Sequence, residues 1–158
     1  MKPYPLFRLL SSLLPSLFLF SGLTTAAELK QQIQQDSDYL GALYQHLHQH
    51  PEVSFQEKQT AARMAKELRQ LKFQVTENFG GHGIVGVFEN GDGPTVLIRT
   101  DLDALPIKEE TGLTFASKKQ MKDRDGNNTY TMHACGHDIH MTVFTGTARR
   151  LIANKDKW

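Results

Sequence analysis

Hydrophobic and polar positions along the chain change period twice. Through residues 29–50, Leu40, Leu43, Tyr44 and Leu47 recur at i, i+3, i+4 and i+7, which predicts one amphipathic helix ended by Pro51. Ser54-Phe55-Gln56-Glu57 has the form of a capping box, with Ser54 able to bond the backbone of Glu57 and Glu57 to reach back. A second helix is expected from there to about Leu71, its apolar face carried by Ala61, Met64, Ala65 and Leu68. The pattern then becomes that of strands over residues 73–76, 84–88 and 95–99. Asn90-Gly91-Asp92-Gly93-Pro94 joins the last two, which read as a hairpin. No helix follows Gly80-Gly81-His82-Gly83, so that segment reads as a flexible strand entry and not as a phosphate cradle. The run Val96-Leu97-Ile98 predicts a buried strand that delivers Arg99, Thr100, Asp101 and Asp103 at its carboxyl end, where open α/β sheets bind ligands. Residues 117–131 are a polar excursion, predicted to protrude as a hairpin centred on Asp125-Gly126. Helical spacing returns over residues 139–153 through Val143, Phe144, Thr147, Leu151 and Ile152. Placing the ligand edge at the carboxyl end of residues 95–99 takes the class as α/β.

The amino terminus does not belong to that pattern. Lys2 and Arg8 precede an apolar stretch over residues 9–23, and Thr25-Ala26-Ala27 has the small side chains of a cleavage site, so residues 1–27 read as a secretory signal and the mature chain as starting at Glu28. As an uncleaved anchor the stretch is marginal, since a spanning helix wants about 20 mainly apolar residues. Without the signal, Lys plus Arg falls from 18 to 16 against 17 acidic residues, a net charge of −1. No basic face results, which argues against nucleic acid as a partner and against stable membrane association after cleavage. The expected location is periplasmic or secreted. A single cysteine in an exported chain cannot form an internal disulfide, which leaves an intermolecular bond or other work.

That cysteine lies in the densest chemistry of the chain. Met132-His133-Ala134-Cys135-Gly136-His137-Asp138-Ile139-His140 holds it with three of the seven histidines and a carboxylate. Thiol, imidazole and carboxylate in so short a segment are metal-ligand types, and Gly136 permits a close backbone approach between Cys135 and His137. The segment opens the last helix, on which His137 and His140 share a face at i, i+3. His46, His48 and His50 alternate around the first helix and read as solvated or capping residues. Asn127-Asn128-Thr129 matches the glycosylation pattern, a weak signal.

Three blocks together carry a family resemblance: His48-Gln49-His50-Pro51-Glu52-Val53-Ser54-Phe55-Gln56-Glu57, Arg99-Thr100-Asp101-Leu102-Asp103-Ala104-Leu105-Pro106-Ile107 and Met132-His133-Ala134-Cys135-Gly136-His137-Asp138. In order and separation they resemble the metal-dependent amidohydrolases that include hippurate hydrolase, N-acyl-amino-acid deacylases and hydrolases of auxin conjugates. The resemblance implies hydrolysis of the amide of a small N-acyl amino acid at a site of two divalent ions, with zinc, manganese, nickel and cobalt all compatible with mixed S, N and O ligands. It implies an aminopeptidase-like catalytic domain with a mixed sheet flanked by helices, a separate lid domain absent from this chain, and a full-length parent that forms homo-oligomers. Carried over by position, Cys135 bridges the metals, His137 ligates one of them, and Asp101 supports the site, while Arg99 stands where related aminopeptidases have a histidine ligand. The family's Glu-Glu pair, which supplies the general base, and its later histidines are not in this sequence. Residues 28–158 therefore read as the amino-terminal, truncated part of a metallohydrolase catalytic domain. The competing readings are an inactive remnant or binding module and, less economically, a thiol enzyme using Cys135 with His133 or His137.

Overall fold

In a computed structural model, which describes residues 21–158, the predicted first helix is divided at Asp36 into α1 (Ser21–Gln35) and α2 (Ser37–Gln49). The apolar stripe predicted continuity; a buried carboxylate broke it. Asp36 is drawn onto the guanidinium groups of Arg149 and Arg150, and the chain makes a turn there, the Asp36 amide bonding the Ile33 carbonyl at 3.2 Å. Pro51 does end α2. The predicted signal lies largely outside the described residues, and α1 runs through the expected cleavage point after Ala27.

The second helix, α3 (Lys58–Gln70), buries Ala61, Met64, Ala65 and Leu68 as the pattern predicts, but no capping box starts it. Glu57 does reach back, to the amide of Phe55 at 2.8 Å, while the Ser54 hydroxyl is turned away to Asp103. The cap is instead Glu52, whose carboxylate accepts from the Thr60 amide and hydroxyl, each at 2.8 Å. This shows why a motif of four residues misreads a cap supplied from farther upstream.

Next come β1 (Gln74–Phe79) and β2 (Gly83–Val87), antiparallel with Gln74 opposite Val87 and Thr76 opposite Val85. The hairpin is thus formed one strand earlier than expected. Its turn is the glycine segment read as a strand entry, where Gly81 at φ 115° occupies backbone that side chains rarely adopt. Residues 95–99 form no strand: Val96 and Leu97 are 79% and 87% exposed. A strand exists through its ladder, and among the described residues nothing pairs with this segment, so apolar composition alone could not make one. The protruding hairpin forms as predicted from β3 (Gln120–Lys122) and β4 (Asn128–Tyr130). The chain then enters α4 (His137–Ala153) and a 3₁₀ turn at Lys155–Lys157.

Leu43 and Leu47 from α2, Met64 from α3 and Met141 from α4 form the core, flanked by Ile84, Leu102 and Phe144. Each such side chain is worth about 1.5–3 kcal/mol of burial. The α/β arrangement agrees with the predicted class, and no described helix is long and apolar enough to cross a membrane. Two short stitches matter most for the site. A parallel bridge joins Val53 to Ala104, with the Ala104 amide on the Glu52 carbonyl at 2.7 Å, and an antiparallel bridge joins Leu105 to Met132. Through them the three sequence blocks meet.

Candidate functional site

The site is built around Gly136, which caps α4 in the left-handed region at φ 76°, ψ 21°. Its amide bonds the His133 carbonyl at 3.2 Å and its carbonyl accepts from the His140 amide at 3.1 Å, so the chain turns sharply into the helix. Only a residue without Cβ takes that turn without strain, and it sets Cys135 just before α4 and His137 at its first position. Cys135 is an exposed free thiol.

His137 is held from one side. Its Nδ1 lies 2.9 Å from the Asp103 backbone carbonyl and 3.0 Å from the Asp103 carboxylate. In the neutral ring those acceptors place the proton on Nδ1, so the lone pair is on Nε2, the form in which imidazole ligates a metal. Nε2 faces Asp101 at 3.8 Å, and the same carboxylate pairs with Arg99. The Ser54 hydroxyl donates to Asp103 at 2.5 Å, so the first block steadies the second, which orients the third. Of the predicted residues, His137 faces Asp101 at 3.8 Å, with Asp103 as its direct partner, and Cys135 precedes it across Gly136 in the chain. Asp103 was expected at the same sheet edge as Asp101, but nothing in the sequence assigned it to His137.

Behind this face the groups are buried. His133 is 5% exposed and neither ring nitrogen has a hydrogen-bond partner; the Asp103 backbone approaches without closing a bond. Burial pushes its pKa down to about 4, against the pull of Asp138, with His137 and His48 adding to the fall, so the ring is neutral. His48 corrects the reading of the first-helix histidines: it is buried, not solvated. Its Nδ1 meets Asp138 at 2.6 Å and its Nε2 meets Glu109 at 3.0 Å. Burial disfavours its charge, yet the bonds to the two carboxylates override burial and raise its pKa. Glu109, also buried, accepts from the Ser117 amide at 2.5 Å and from the Thr111 hydroxyl; burial opposes its charge, but these bonds and His48 hold its carboxyl below the usual range. A signal for His48 existed, since it stands at i+4 from Tyr44 on the inward stripe, and their rings lie 5.5 Å apart. Glu109 had none. His46 and His50 are exposed as expected, with rings 4.5 Å apart at i, i+4 and His50 Nδ1 donating to the His46 carbonyl at 2.6 Å.

The donor types present, an exposed thiol, an imidazole with a free Nε2 and a neighbouring carboxylate, fit a borderline divalent transition ion. Among the described residues no three His, Cys, Asp or Glu side chains lie together so as to hold a metal ion. Cys135 and His137 thus fit as part of a ligand set, not as the whole of one.

Comparison with known proteins gives a consistent result. Residues 97–158 match the model of Peptidase family M20/M25/M40. The chain is 46% identical over 123 residues to a hydrolase of Synechocystis, covering 77% of this chain and 29% of the relative. It is 42% identical over 107 residues to the N-acetylcysteine deacetylase of Bacillus subtilis, covering 66% and 26%. Among solved structures it resembles an aminohydrolase from methicillin-resistant Staphylococcus aureus, with TM-score 0.72 and 37% identity over 82% of this chain and 31% of the other. A dinuclear metal-binding peptidase of the M20 family from Bacillus subtilis superposes with TM-score 0.64 and 35% identity, over 80% and 32%. The chain spans about three tenths of the length of the curated relatives it matches.

Proposed function

We propose that the protein, whose residues 97–158 match the model of Peptidase family M20/M25/M40, is a metal-dependent amidohydrolase acting on the amide bond of small N-acyl amino acids. The observation that carries this reading is the pairing of Cys135 and His137 around the left-handed Gly136, with the Nε2 of His137 left free by Asp103. In this reading Cys135 and His137 hold divalent metal, two ions in all, with zinc, manganese, nickel and cobalt as the candidates. When bound, the metal supplies Lewis-acid polarisation of the amide carbonyl and activation of water. The protein's own groups prepare the place: Asp103 fixes the His137 ring, Ser54 fixes Asp103, and the Asp101 carboxylate offsets positive charge beside Nε2 at 3.8 Å. The likeness to an N-acetylcysteine deacetylase favours an acylated amino acid as substrate. The basic start, apolar stretch and small residues of 1–27 support export to the periplasm or medium.

The test uses the protein expressed from its whole natural reading frame, stripped with chelator, reloaded with each metal and assayed for amino acid released from N-acetyl and N-benzoyl amino acids. Chelator-sensitive turnover that Cys135→Ser lowers, together with metal content, is the expected result. Turnover that resists the chelator but stops on thiol alkylation would reassign Cys135 as a nucleophile. Absence of turnover with every metal would favour a binding module.

A further inference from the structure

We propose that His48 and Glu109 are positioning residues for the Cys135–His137 site, a role that rests on the functional reading above. Asp138 is the residue after His137 and is 2% exposed; one of its oxygens caps the Ile139 amide at 2.9 Å and the other meets His48 Nδ1 at 2.6 Å. The opposite nitrogen of His48 meets Glu109 at 3.0 Å, and Glu109 is pinned to the segment after it through the Ser117 amide and the Thr111 hydroxyl. With a carboxylate at each nitrogen, His48 carries both ring protons and acts as a rigid two-ended donor. The rings of Tyr44 and Phe115, 5.5 and 5.4 Å from it, close the sides. One chain of hydrogen bonds therefore runs from residues 109–117 through α2 to the first turn of α4. That turn also contains the ligand His137, and Cys135 stands on the other side of Gly136. The left-handed Gly136 is a swivel, so the direction of the two donors depends on what fixes the turn following it. Asp138 fixes it, and among the described residues the one side chain that bonds the Asp138 carboxylate is His48.

The experiment is Co²⁺ titration of the protein from its whole reading frame, following thiolate-to-cobalt charge transfer in the near ultraviolet and the ligand-field bands. His48→Ala and Glu109→Gln are compared with wild type and with Asp36→Ala, which loosens the far end of the same helix without touching the site. Loss of support behind a metal ligand typically weakens affinity by about 10–100-fold. The expected result is a loss in that range with altered ligand-field bands for His48→Ala, a smaller shift for Glu109→Gln, which keeps shape and removes charge, and neither change for Asp36→Ala. If His48→Ala does not fold, Glu109→Gln alone decides. Affinity and spectra within two-fold of wild type in the folded variants, or equal changes in Asp36→Ala, would overturn the positioning role. A wild-type protein that gives no thiolate-to-cobalt band would instead overturn the metal-site reading on which the role depends.

Discussion

Replacing Asp36 by Ala should destabilise the protein by about 2 kcal/mol at neutral pH, and the size follows from who is left behind. Asp36 is 6% exposed and accepts from Arg149 Nε at 3.0 Å, Arg149 Nη2 at 2.7 Å and Arg150 Nη2. Breaking a fully buried pair by removing one partner costs about 3–5 kcal/mol, because the survivor stays charged and unpaired. Here the guanidinium side chains keep 30% and 19% of their surface, so water recovers part of that loss and the lower figure applies. Arg150 has little in reserve, since its Nε has no partner and only Gln32 remains, at 3.0 Å. For a chain of this length about 2 kcal/mol corresponds to a fall in Tm of roughly 4–8 °C. The pH dependence supplies an independent check. The hydrogen bond from Arg149, with both guanidinium charges, holds the Asp36 carboxyl below its ordinary value despite burial. A carboxylate with a depressed folded pKa stabilises the fold above its unfolded pKa and loses that contribution as pH falls through the folded one. Urea unfolding of wild type and Asp36→Ala from pH 7 into acid should therefore give curves that converge below the usual carboxylate range. A difference under about 0.5 kcal/mol at pH 7, or one unchanged down to the acid limit, refutes the assignment of Asp36 as the tie between the α1–α2 joint and α4.

Two further outcomes are expected. Met141→Ala, at a fully buried position among Leu43, Leu47 and Met64, should cost about 2–5 kcal/mol by calorimetry, whereas Val143→Ala on the same helix, 60% exposed, should stay within about 0.5 kcal/mol; equal effects would show that α4 packs by another face. Amino-terminal sequencing of the protein recovered from the periplasm or medium should begin at Glu28, and a retained Met1 on a membrane-embedded product would remove the cleavage claim.

What could be read from the sequence divides by range. Helical stripes were legible because burial of Ala61, Met64, Ala65 and Leu68 is decided by one element's own period. The hairpin at Asp125-Gly126 was legible because its turn chemistry is local, as was the opening of α4 by the Cys135–His137 cluster. Failures came where a partner far along the chain decided. Asp36 could not announce Arg149, Ser54 could not announce Asp103, and Val96-Leu97-Ile98 reads as a strand whether or not a ladder exists for it. The family resemblance assigned Cys135, His137 and Asp101 by position; the inward stripe of the first helix hinted at His48, while its partners Asp138 and Glu109 became visible only when the chain was folded. The separation of His48 from Asp138 by 90 positions is beyond any local pattern.

The distribution of exposure across the site argues that its buried charges serve geometry. Cys135 is exposed and Asp101 and His137 keep 42% and 18% of their side-chain surface, as groups must that meet a ligand. Immediately behind them Glu109, His48 and Asp138 keep 0%, 6% and 2%. Ionisable groups taken from water carry a desolvation penalty that their mutual attraction barely offsets, and well-packed apolar side chains of similar volume often stabilise a fold as well or better. Stability alone therefore gives little reason for charge at this depth. Direction gives a reason, because apolar contacts resist compression but do not select one rotation of a helix turn, whereas a carboxylate held to a two-ended donor at 2.6 Å does. The ring of His133, unpartnered among the described residues, lies beside the same groups and is kept neutral by burial. Rigid polar groups behind and exposed side chains in front is the order that the proposed metal ligation at the glycine turn requires.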